Sequence, residues 1–330
     1  MMKVLSSEIL SDGRRIEVLR IQEPDEVFRD KLVSLLGHKG EPWVWQMQEG
    51  LSGRTGGLEN IYYAGRFEDR LIGNITIWRN VDIGCLAHVF TVPEMRKLGV
   101  ARILLGAALD DFKGAGGRAL VLTTGFESMP WRLYASFGFK GSRPEDSYGG
   151  MVKFFADTNW GNLFRGPAQK VSRAEWRHFI GTQFLTGSPG PEVVRSLVFP
   201  VLGAEFVEGQ YISFMRRRQH GEPVEARVLE GPGACVLGCA LVGPHPHWGS
   251  LARRKALDVF CHPLGREKAG ELVKAAMDGS TGPLECHVDG EGGWKVDLLK
   301  KMGFREHRIP CVFKNDQPRG DLAVMVGRDG

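Results

Sequence analysis

The chain has 330 residues, enough for two domains of ordinary size, and its 42% hydrophobic and 25% charged residues are typical of a folded globular protein. The net charge of +4 is too small to indicate a nucleic-acid partner, and the longest apolar runs, such as residues 234–242, are about half a membrane span. The six cysteines are scattered rather than arranged as a disulfide framework, and no signal peptide is visible at the N-terminus. We therefore expect a cytoplasmic protein that binds neither nucleic acid nor membrane.

The first 160 residues show the alternation of helical and strand patterns that a mixed α/β domain produces. A glycine-rich loop at 50–57 separates the first helix from the first strands. The predicted elements, in chain order, are a helix at 24–36, strands at 61–66, 70–79 and 85–92, a helix at 100–113, a strand at 119–124 and a short helix at 130–137.

The second half repeats part of this order after a linker predicted at 158–171. Its predicted elements are helices at 173–184 and 191–202 and strands at 224–230, 234–242 and 256–261, and the basic run 215–218 is interpreted as a solvated strand end. Residues 89–93 resemble 259–263, and a Gly-Phe pair follows each at 138–139 and 303–304. This internal repeat favours two copies of one fold, at 1–160 and 161–330.

The segment 96–101 (RKLGVA) lies between a predicted strand and an amphipathic helix. The first turn of a helix has free backbone N–H groups and a partial positive charge, which favour a phosphate. Gly99 lets a ligand approach the backbone closely, and Arg96 and Lys97 add positive charge. By itself this short pattern fits an ordinary strand-to-helix turn equally well.

The context of that segment is more specific. A strand ending in Thr91-Val92-Pro93 precedes it, and a helix, a buried strand and the run 131–139 (WRLYASFGF) follow. This ordered set resembles the GNAT superfamily of acyl-CoA-dependent N-acyltransferases, with Thr91 in place of the usual Val. The resemblance implies two tandem α/β (α+β) folds, each with a mixed, mostly antiparallel, twisted sheet flanked by helices.

The resemblance also implies acetyl-CoA as co-substrate. In this family the loop and helix start hold the pyrophosphate, and a strand edge, made here by Val89, Phe90 and Thr91, binds the pantetheine arm. The residues that correspond to the pyrophosphate loop are Arg96, Lys97, Leu98, Gly99, Val100, Ala101 and Arg102. A bulge in the strand typically opens a slot for the thioester. No metal is expected, since Cys235 and Cys239, with His245 and His247 beyond them, have the wrong spacing for zinc.

Three residues are candidates for proton transfer. Tyr134 stands where the family often places the general acid for the departing thiolate, although a packed aromatic that supports the turn at Gly138 is the alternative. The identity of the general base that deprotonates the amine is left open, because Leu122 stands where some members of the family have a Glu. The candidates are Glu127, His88 or a route through water.

The resemblance implies an N-acetyltransferase in which an amine, small molecule or peptide, attacks acetyl-CoA directly in a ternary complex. The alternatives are an acyl-CoA-binding regulatory protein and a GNAT-fold enzyme with altered chemistry. Trp43, Trp45, Tyr62 and Tyr63 either line the acceptor pocket or pack in the core. The second copy has Glu267 and Glu271 in its loop and Leu299 at the position of Tyr134, so we predict that it does not catalyse. No sequence feature indicates an oligomeric state.

Overall fold

The computed structural model describes residues 2–326 apart from 144–147, 191–193, 197, 200, 245–254, 290–292, 310–312, 315–316 and 319–321. The chain forms two compact units. The first comprises Met1–Asn159 and Glu175–Ile180, and the second comprises Trp160–Ala174 and Gly181–Gly330. The roles assigned above to residues 1–160 and 161–330 stay predictions.

The first unit is built on one eight-stranded mixed sheet. Its strands are β1 (Met2–Ile9), β2 (Arg15–Gln22), β3 (Glu59–Phe67), β4 (Arg70–Asn80), β5 (Ile83–Thr91), β6 (Ala119–Thr123), β7 (Lys140–Gly141) and β8 (Gly150–Phe154). Its helices are α1 (Glu26–Leu36), α2 (Trp43–Leu51), α3 (Val100–Gly114) and α4 (Met129–Ser136). The strand order is β1-β2-β3-β4-β5-β6-β8-β7, and β5 and β6 form the parallel pair among antiparallel neighbours. The mixed, mostly antiparallel sheet that we predicted is confirmed.

The helices cover both faces of this sheet, because successive strand residues point to opposite sides. The apolar stripe of α3, which includes the fully buried Leu104, packs against one face. Helices α1 and α2 pack against the other through Phe28, Leu32 and Met47. We call this second side the α1–α2 face. Asp25 fixes the start of α1, since its side chain accepts a hydrogen bond from the N–H of Phe28 at 3.2 Å.

Within the described residues the second unit has eleven strands, and seven of them form one mixed sheet. Its helices are α5 (Trp160–Leu163), α6 (Phe179–Gly187), α7 (Glu208–Gln219), α8 (Ala269–Met277) and α9 (Trp294–Lys301). Its strands are β9 (Val171–Arg173), β10 (Val194–Ser196), β11 (Val201–Leu202), β12 (Glu225–Glu230), β13 (Val236–Pro244), β14 (Lys255–Cys261), β15 (Leu284–Asp289), β16 (Arg305–Ile309), β17 (Phe313–Lys314), β18 (Gln317–Pro318) and β19 (Leu322–Val326).

The two sheets share a strand order. The second sheet runs β9-β12-β13-β14-β15-β19-β16, with β14 and β15 parallel, which is the order β2-β3-β4-β5-β6-β8-β7 of the first. The two sheets therefore fit a tandem arrangement. None of the helices in the described part of the chain has both the length and the apolar character needed to cross a membrane.

Several predicted elements differ from the observed ones. Strands β1 and β2 and helix α2 were not predicted, and the basic run at 215–218 belongs to the last turn of α7 rather than to a strand end. The helix predicted at 191–202 is wrong, because this segment contains the short strands β10 and β11. The physical reason is that β-branched valines favour extended backbone and that Pro200 cannot donate within a helix.

We predict that Leu104→Ala lowers the free energy of unfolding of the first unit by about 3 kcal/mol, because it leaves a cavity between α3 and the sheet. Leu104 is fully buried, whereas Val27 of α1 is 79% exposed and provides the control Val27→Ala. Chemical denaturation of both variants measures the difference. An equal effect of the two substitutions would contradict the packing described here.

Candidate active site

The central feature of the first unit is a bulge in β5. Thr76 of β4 pairs with Ala87, but Asn74 pairs with Phe90, so His88 and Val89 together lie opposite Ile75. His88 has a positive φ of 50°. Strands β5 and β6 pair from Ile83 and Ala119 to Cys85 and Val121. Beyond that row no further pairs join the two strands among the described residues, and we call the region between their C-terminal halves the opening.

Two side chains from outside β5 donate hydrogen bonds to the backbone carbonyl oxygens at the bulge. The amide of Asn74, which is fully buried, donates to the carbonyl oxygen of His88 at 3.1 Å. The ammonium group of Lys39 donates to the carbonyl oxygen of Val89 at 3.0 Å. These two bonds satisfy oxygens that the irregular pairing leaves outside the ladder, and so they stabilise the opening. Neither residue was singled out from the sequence, because each bond joins residues at least 14 positions apart.

The start of α3 lies just beyond the end of β5. Gly99 has a φ of 93°, and apart from Gly99 and its two chain neighbours no residue has an atom within 4 Å of the position that a Cβ would take. The first hydrogen bond of the helix joins the N–H of Ile103 to the carbonyl oxygen of Gly99 at 3.0 Å. The N–H groups of Val100, Ala101 and Arg102 therefore have no partner within the helix. This open, partly positive helix end can accept an anionic group.

The charged residues of the loop are exposed around this helix end. Arg96, Lys97 and Arg102 are all exposed, and Leu98 is half-buried. The guanidinium group of Arg96 donates to the carbonyl oxygen of Thr91 at 3.1 Å, and its carbon lies 6.0 Å from the ring centre of Phe90. The structure thus brings the predicted pyrophosphate loop and the predicted strand edge together at one end of the opening.

Tyr134 lies on α4, which starts at Ser128, whose hydroxyl accepts from the N–H of Trp131 at 3.3 Å. The Tyr134 ring is 5% exposed and meets the ring of Phe139 edge-on at 6.0 Å. This contact fits the packing alternative, and it also keeps the phenol in a dry environment. Its role as an acid stays a prediction.

The two candidate bases lie in opposite environments. Glu127 is exposed, with a φ of 51°. His88 is 7% exposed, and neither ring nitrogen has a hydrogen-bond partner among the described residues. Burial, assisted by the positive charges of Lys39 and His38, lowers the pKa of His88 to about 3. His88 is therefore neutral near pH 7 and only weakly basic, which does not favour the base role.

Four aromatic residues were considered above as lining an acceptor pocket or as packing in the core, and they lie in different surroundings. Tyr63 points to the α3 side, where its hydroxyl donates to Asp111 at 2.6 Å, so it is a core residue. Tyr62 points to the α1–α2 face and donates to Glu23 at 2.5 Å. Trp45 lies against Trp176 with 5.9 Å between ring centres, and Trp43 is half-buried at the start of α2.

Residues 25–139 match the family model described as the acetyltransferase (GNAT) family. The matched segment contains the bulge, the opening and the start of α3. The first unit therefore contains a GNAT acetyltransferase domain. A search of curated protein sequences finds no match to this chain.

Solved structures similar to this GNAT domain cover about half of the chain. An N-acetyltransferase from Staphylococcus aureus Mu50 is 16% identical with a TM-score of 0.39, over 48% of this chain and 97% of that one. A ribosomal-protein-alanine N-acetyltransferase from Brucella melitensis is 18% identical with a TM-score of 0.38, over 48% and 98%. A putative acetyltransferase from Salmonella typhimurium with its cofactor acetyl-CoA is 16% identical with a TM-score of 0.37, over 48% and 91%.

The second unit differs from the GNAT domain at the corresponding helix start. A 3-10 helix at Pro263–Lys268 runs directly into α8, and Lys268 has an ordinary φ of −98° where Gly99 is left-handed. Strands β14 and β15 pair at Lys255 and Ala256 and then separate, and β10 lies against both. The hydroxyl of Ser196 in β10 donates to the buried Asp258 of β14 at 2.5 Å.

The described residues contain no group of three or more His, Cys, Asp or Glu side chains that could hold a metal ion. Cys239 is buried, and burial raises the pKa of its thiol to about 12. His245 and His247, which were considered with it, lie outside the described residues.

We predict that Gly99→Ala weakens coenzyme A binding at least tenfold, because the new methyl group lies where backbone and diphosphate must come close. Gly116, at the other end of α3, has a similar φ of 79° and equally open surroundings, so Gly116→Ala is the matched control. Both variants should lose about 1–2 kcal/mol of stability through backbone strain. Calorimetric titration with coenzyme A separates them, and equal affinities would argue against this anion site.

We also predict that the buried His88 makes the protein less stable as the pH falls. In the folded state its pKa is about 3 instead of 6.5, so below about pH 6.5 the unfolded chain binds a proton that the folded protein does not. The free energy of unfolding should decrease by up to about 1.4 kcal/mol per pH unit between pH 6 and 4 on this account. In His88→Asn, which suits a positive φ, urea titrations should show a shallower pH dependence. An unchanged slope would show that His88 does not titrate in this way.

Proposed function

We propose that the GNAT domain, residues 1–160, is an acetyl-CoA-dependent N-acetyltransferase. The observation that carries the proposal is the opening between β5 and β6, which has a bulge at its base and the Gly99 helix start at its mouth. The opening can admit an extended pantetheine chain, while the helix start can hold a diphosphate. An acyl-CoA contains both of these parts, an extended pantetheine chain and a diphosphate.

The donor binds through backbone groups and three surface cations in this proposal. The edge at Val89, Phe90 and Thr91 hydrogen-bonds the amides of pantetheine as an added strand would. The N–H groups of Val100 to Arg102 bind the diphosphate, and Arg96, Lys97 and Arg102 neutralise its charge. The thioester carbonyl then lies near the bulge, where backbone N–H groups stabilise the oxyanion.

The reaction is a direct transfer. The lone pair of the amine attacks the thioester carbon, a C–N bond forms, and the C–S bond breaks as the tetrahedral intermediate collapses. Tyr134 gives its proton to the departing thiolate. The nitrogen loses one proton, which passes through water to the tyrosinate, so that the products are an amide and coenzyme A. Because His88 is neutral and Glu127 is exposed, this route uses neither as a strong base.

The second unit, residues 161–330, does not catalyse in this proposal. Its helix α8 begins without a left-handed residue, and the carboxylates of Glu267 and Glu271 would repel a diphosphate. Leu299 is fully buried at the position that corresponds to Tyr134. Strand β10 occupies the region where β14 and β15 part. We infer that this unit is a second, degenerate GNAT-like fold.

A second candidate function is acyl-CoA binding without transfer. The packing of Tyr134 against Phe139 favours it, because a tyrosine held for structural reasons need not act as an acid. The two functions differ in one respect, which is whether any amine accelerates the release of thiol.

We predict that Tyr134→Phe lowers kcat for acetyl transfer by about 100-fold or more, while the Kd for acetyl-CoA changes little, since the hydroxyl is needed when the thiolate departs. Thiol release with an amine mixture, together with calorimetry, measures both quantities. Tyr63→Phe is the control, because it removes another buried tyrosine hydroxyl from the same core cluster, one that donates to Asp111 of α3. If both variants keep full turnover, Tyr134 is a packing residue.

A further inference from the structure

The first strand of the GNAT domain forms a long edge of its sheet. Among the described residues, strand β1 pairs with β2 alone and lies at one end of the strand order. It has eight residues, whereas β7 at the opposite end has two. An edge strand of this length presents a row of backbone N–H and C=O groups that can pair with a further strand.

The apolar side chains of β1 are exposed to an unusual degree. Met2, Val4 and Ile9 are 37%, 43% and 60% exposed. They are three of the eight large hydrophobic residues that are exposed in the described part of the chain. Exposed apolar side chains that are concentrated in one place mark an interaction surface.

A bulge divides the side chains of β1 between the two faces of the sheet. The register against β2 shifts between Val4 and Ser6, so Leu5 is an extra residue. Such a shift exchanges the faces of all residues beyond it, and residues an odd number of positions apart then share a face. Met2, Val4 and Ile9 therefore all lie on the α1–α2 face.

The charged residues of β1 lie on the other face, beside α3. Lys3 is the cross-strand partner of Arg20, which forms an ion pair with Asp111 of α3. Glu8 is the cross-strand partner of Ile16, a core residue on the α3 side. Neither Lys3 nor Glu8 has an ion-pair partner among the residues that the structure describes.

We propose that β1 pairs with β1 of a second copy of this chain, antiparallel about a two-fold axis, and joins the two eight-stranded sheets. The axis passes between Leu5 and Ser6, the two residues at the bulge. A two-fold contact uses the same surface on both copies, so the edge must be complementary to itself.

The side chains of β1 meet this condition. On the α3 side, Lys3 lies opposite Glu8 of the second copy, and the same pair forms again on the other side of the axis. On the α1–α2 face, Met2 lies opposite Ile9 of the second copy. Cross-strand pairs of opposite charge and apolar cross-strand pairs both stabilise an antiparallel sheet.

The bulge explains why the partner is a second copy rather than an unrelated strand. In a regular strand the side chains alternate between the faces without interruption. Such a strand could match β1 on one side of the bulge but not on both sides. A second copy has the same irregularity at the axis, so every pair shares a face.

A groove between β1 and α3 adds to the charge complementarity. It has a volume of about 470 Å³, and its charged lining consists of Glu8, Asp110, Asp111 and Arg102. Asp111 already has an ion-pair partner within the domain, whereas Glu8 and Asp110 have none among the described residues. Lys3 of the second copy lies opposite Glu8 and brings a positive charge to these two carboxylates.

The first test reverses the charges of the edge in the full chain. Lys3→Glu creates two like-charge pairs across the axis and should weaken dimerisation by about tenfold or more, and Glu8→Lys should do the same. The double variant Lys3→Glu/Glu8→Lys restores opposite charges in both pairs and should dimerise like the unmodified chain. Sedimentation velocity over a range of protein concentrations measures these affinities.

The matched control is Lys31→Glu, which reverses an exposed lysine on α1 and should leave dimerisation unchanged. A chain that is monomeric over the whole concentration range would overturn the inference. A dimer that the single variants do not weaken, or that the double variant does not restore, would overturn it as well.

The second test fixes the register. The double variant Met2→Cys/Ile9→Cys should form a disulfide between two copies under mild oxidation, because the two positions lie directly opposite each other. Within one chain they are too far apart to join, since a strand rises about 3.3 Å per residue. A non-reducing gel should show a covalent dimer for the double variant and for neither single variant.

A single variant that cross-links as efficiently as the double variant would show a different register and refute this pairing. Neither measurement involves acetyl transfer. The dimer can therefore be confirmed or refuted independently of the proposed function.

Discussion

The separation of β5 from β6 is the constraint on which the rest of the first unit depends. A regular strand after Cys85 would continue its pairing with β6 and close the sheet. The extra residue at His88–Val89 increases the local twist and turns the second half of β5 away. The opening therefore costs the hydrogen bonds that this half of β5 would have made to β6. Asn74 and Lys39 offset part of that cost, since they bind the two carbonyl groups at the bulge.

The same bulge determines the electrostatics of the α1–α2 face. It turns the His88 ring onto the α1–α2 face against the ring of Trp78, where burial excludes water and favours the neutral form. Glu23 is driven to its neutral form by the same effect, although its ionisation has the opposite sign. Burial thus removes charge from both titratable groups while it leaves their hydrogen-bonding atoms unpaired.

The sequence predicted the elements around the motif closely, because local signals set them. The helix start at Gly99 and the helix α1 after Asp25 agree with the structure to within two residues. Strands β1 and β2 were missed, since β1 is largely exposed and lacks a clear apolar alternation. The buried polar contacts of the α1–α2 face were missed for a different reason. Gln46 and Asn60, or Glu23 and Tyr62, are brought together by sheet register, and no local pattern in the chain encodes that contact.

The two sheets share a topology but differ in the residues around the parallel pair of strands and at the helix start that follows it. Both sheets have the same strand order and the same parallel pair that separates after its first rows. In the first unit the α3 start is left-handed at Gly99, which leaves its N–H groups open. In the second, a 3-10 turn continues into α8, and β10 contributes Ser196 to the buried Asp258. A polar side chain of the chain itself thus satisfies the buried group at the second opening. The repeat aligns His88 of the first unit with Asp258, and the ring nitrogens of His88 have no such partner among the described residues.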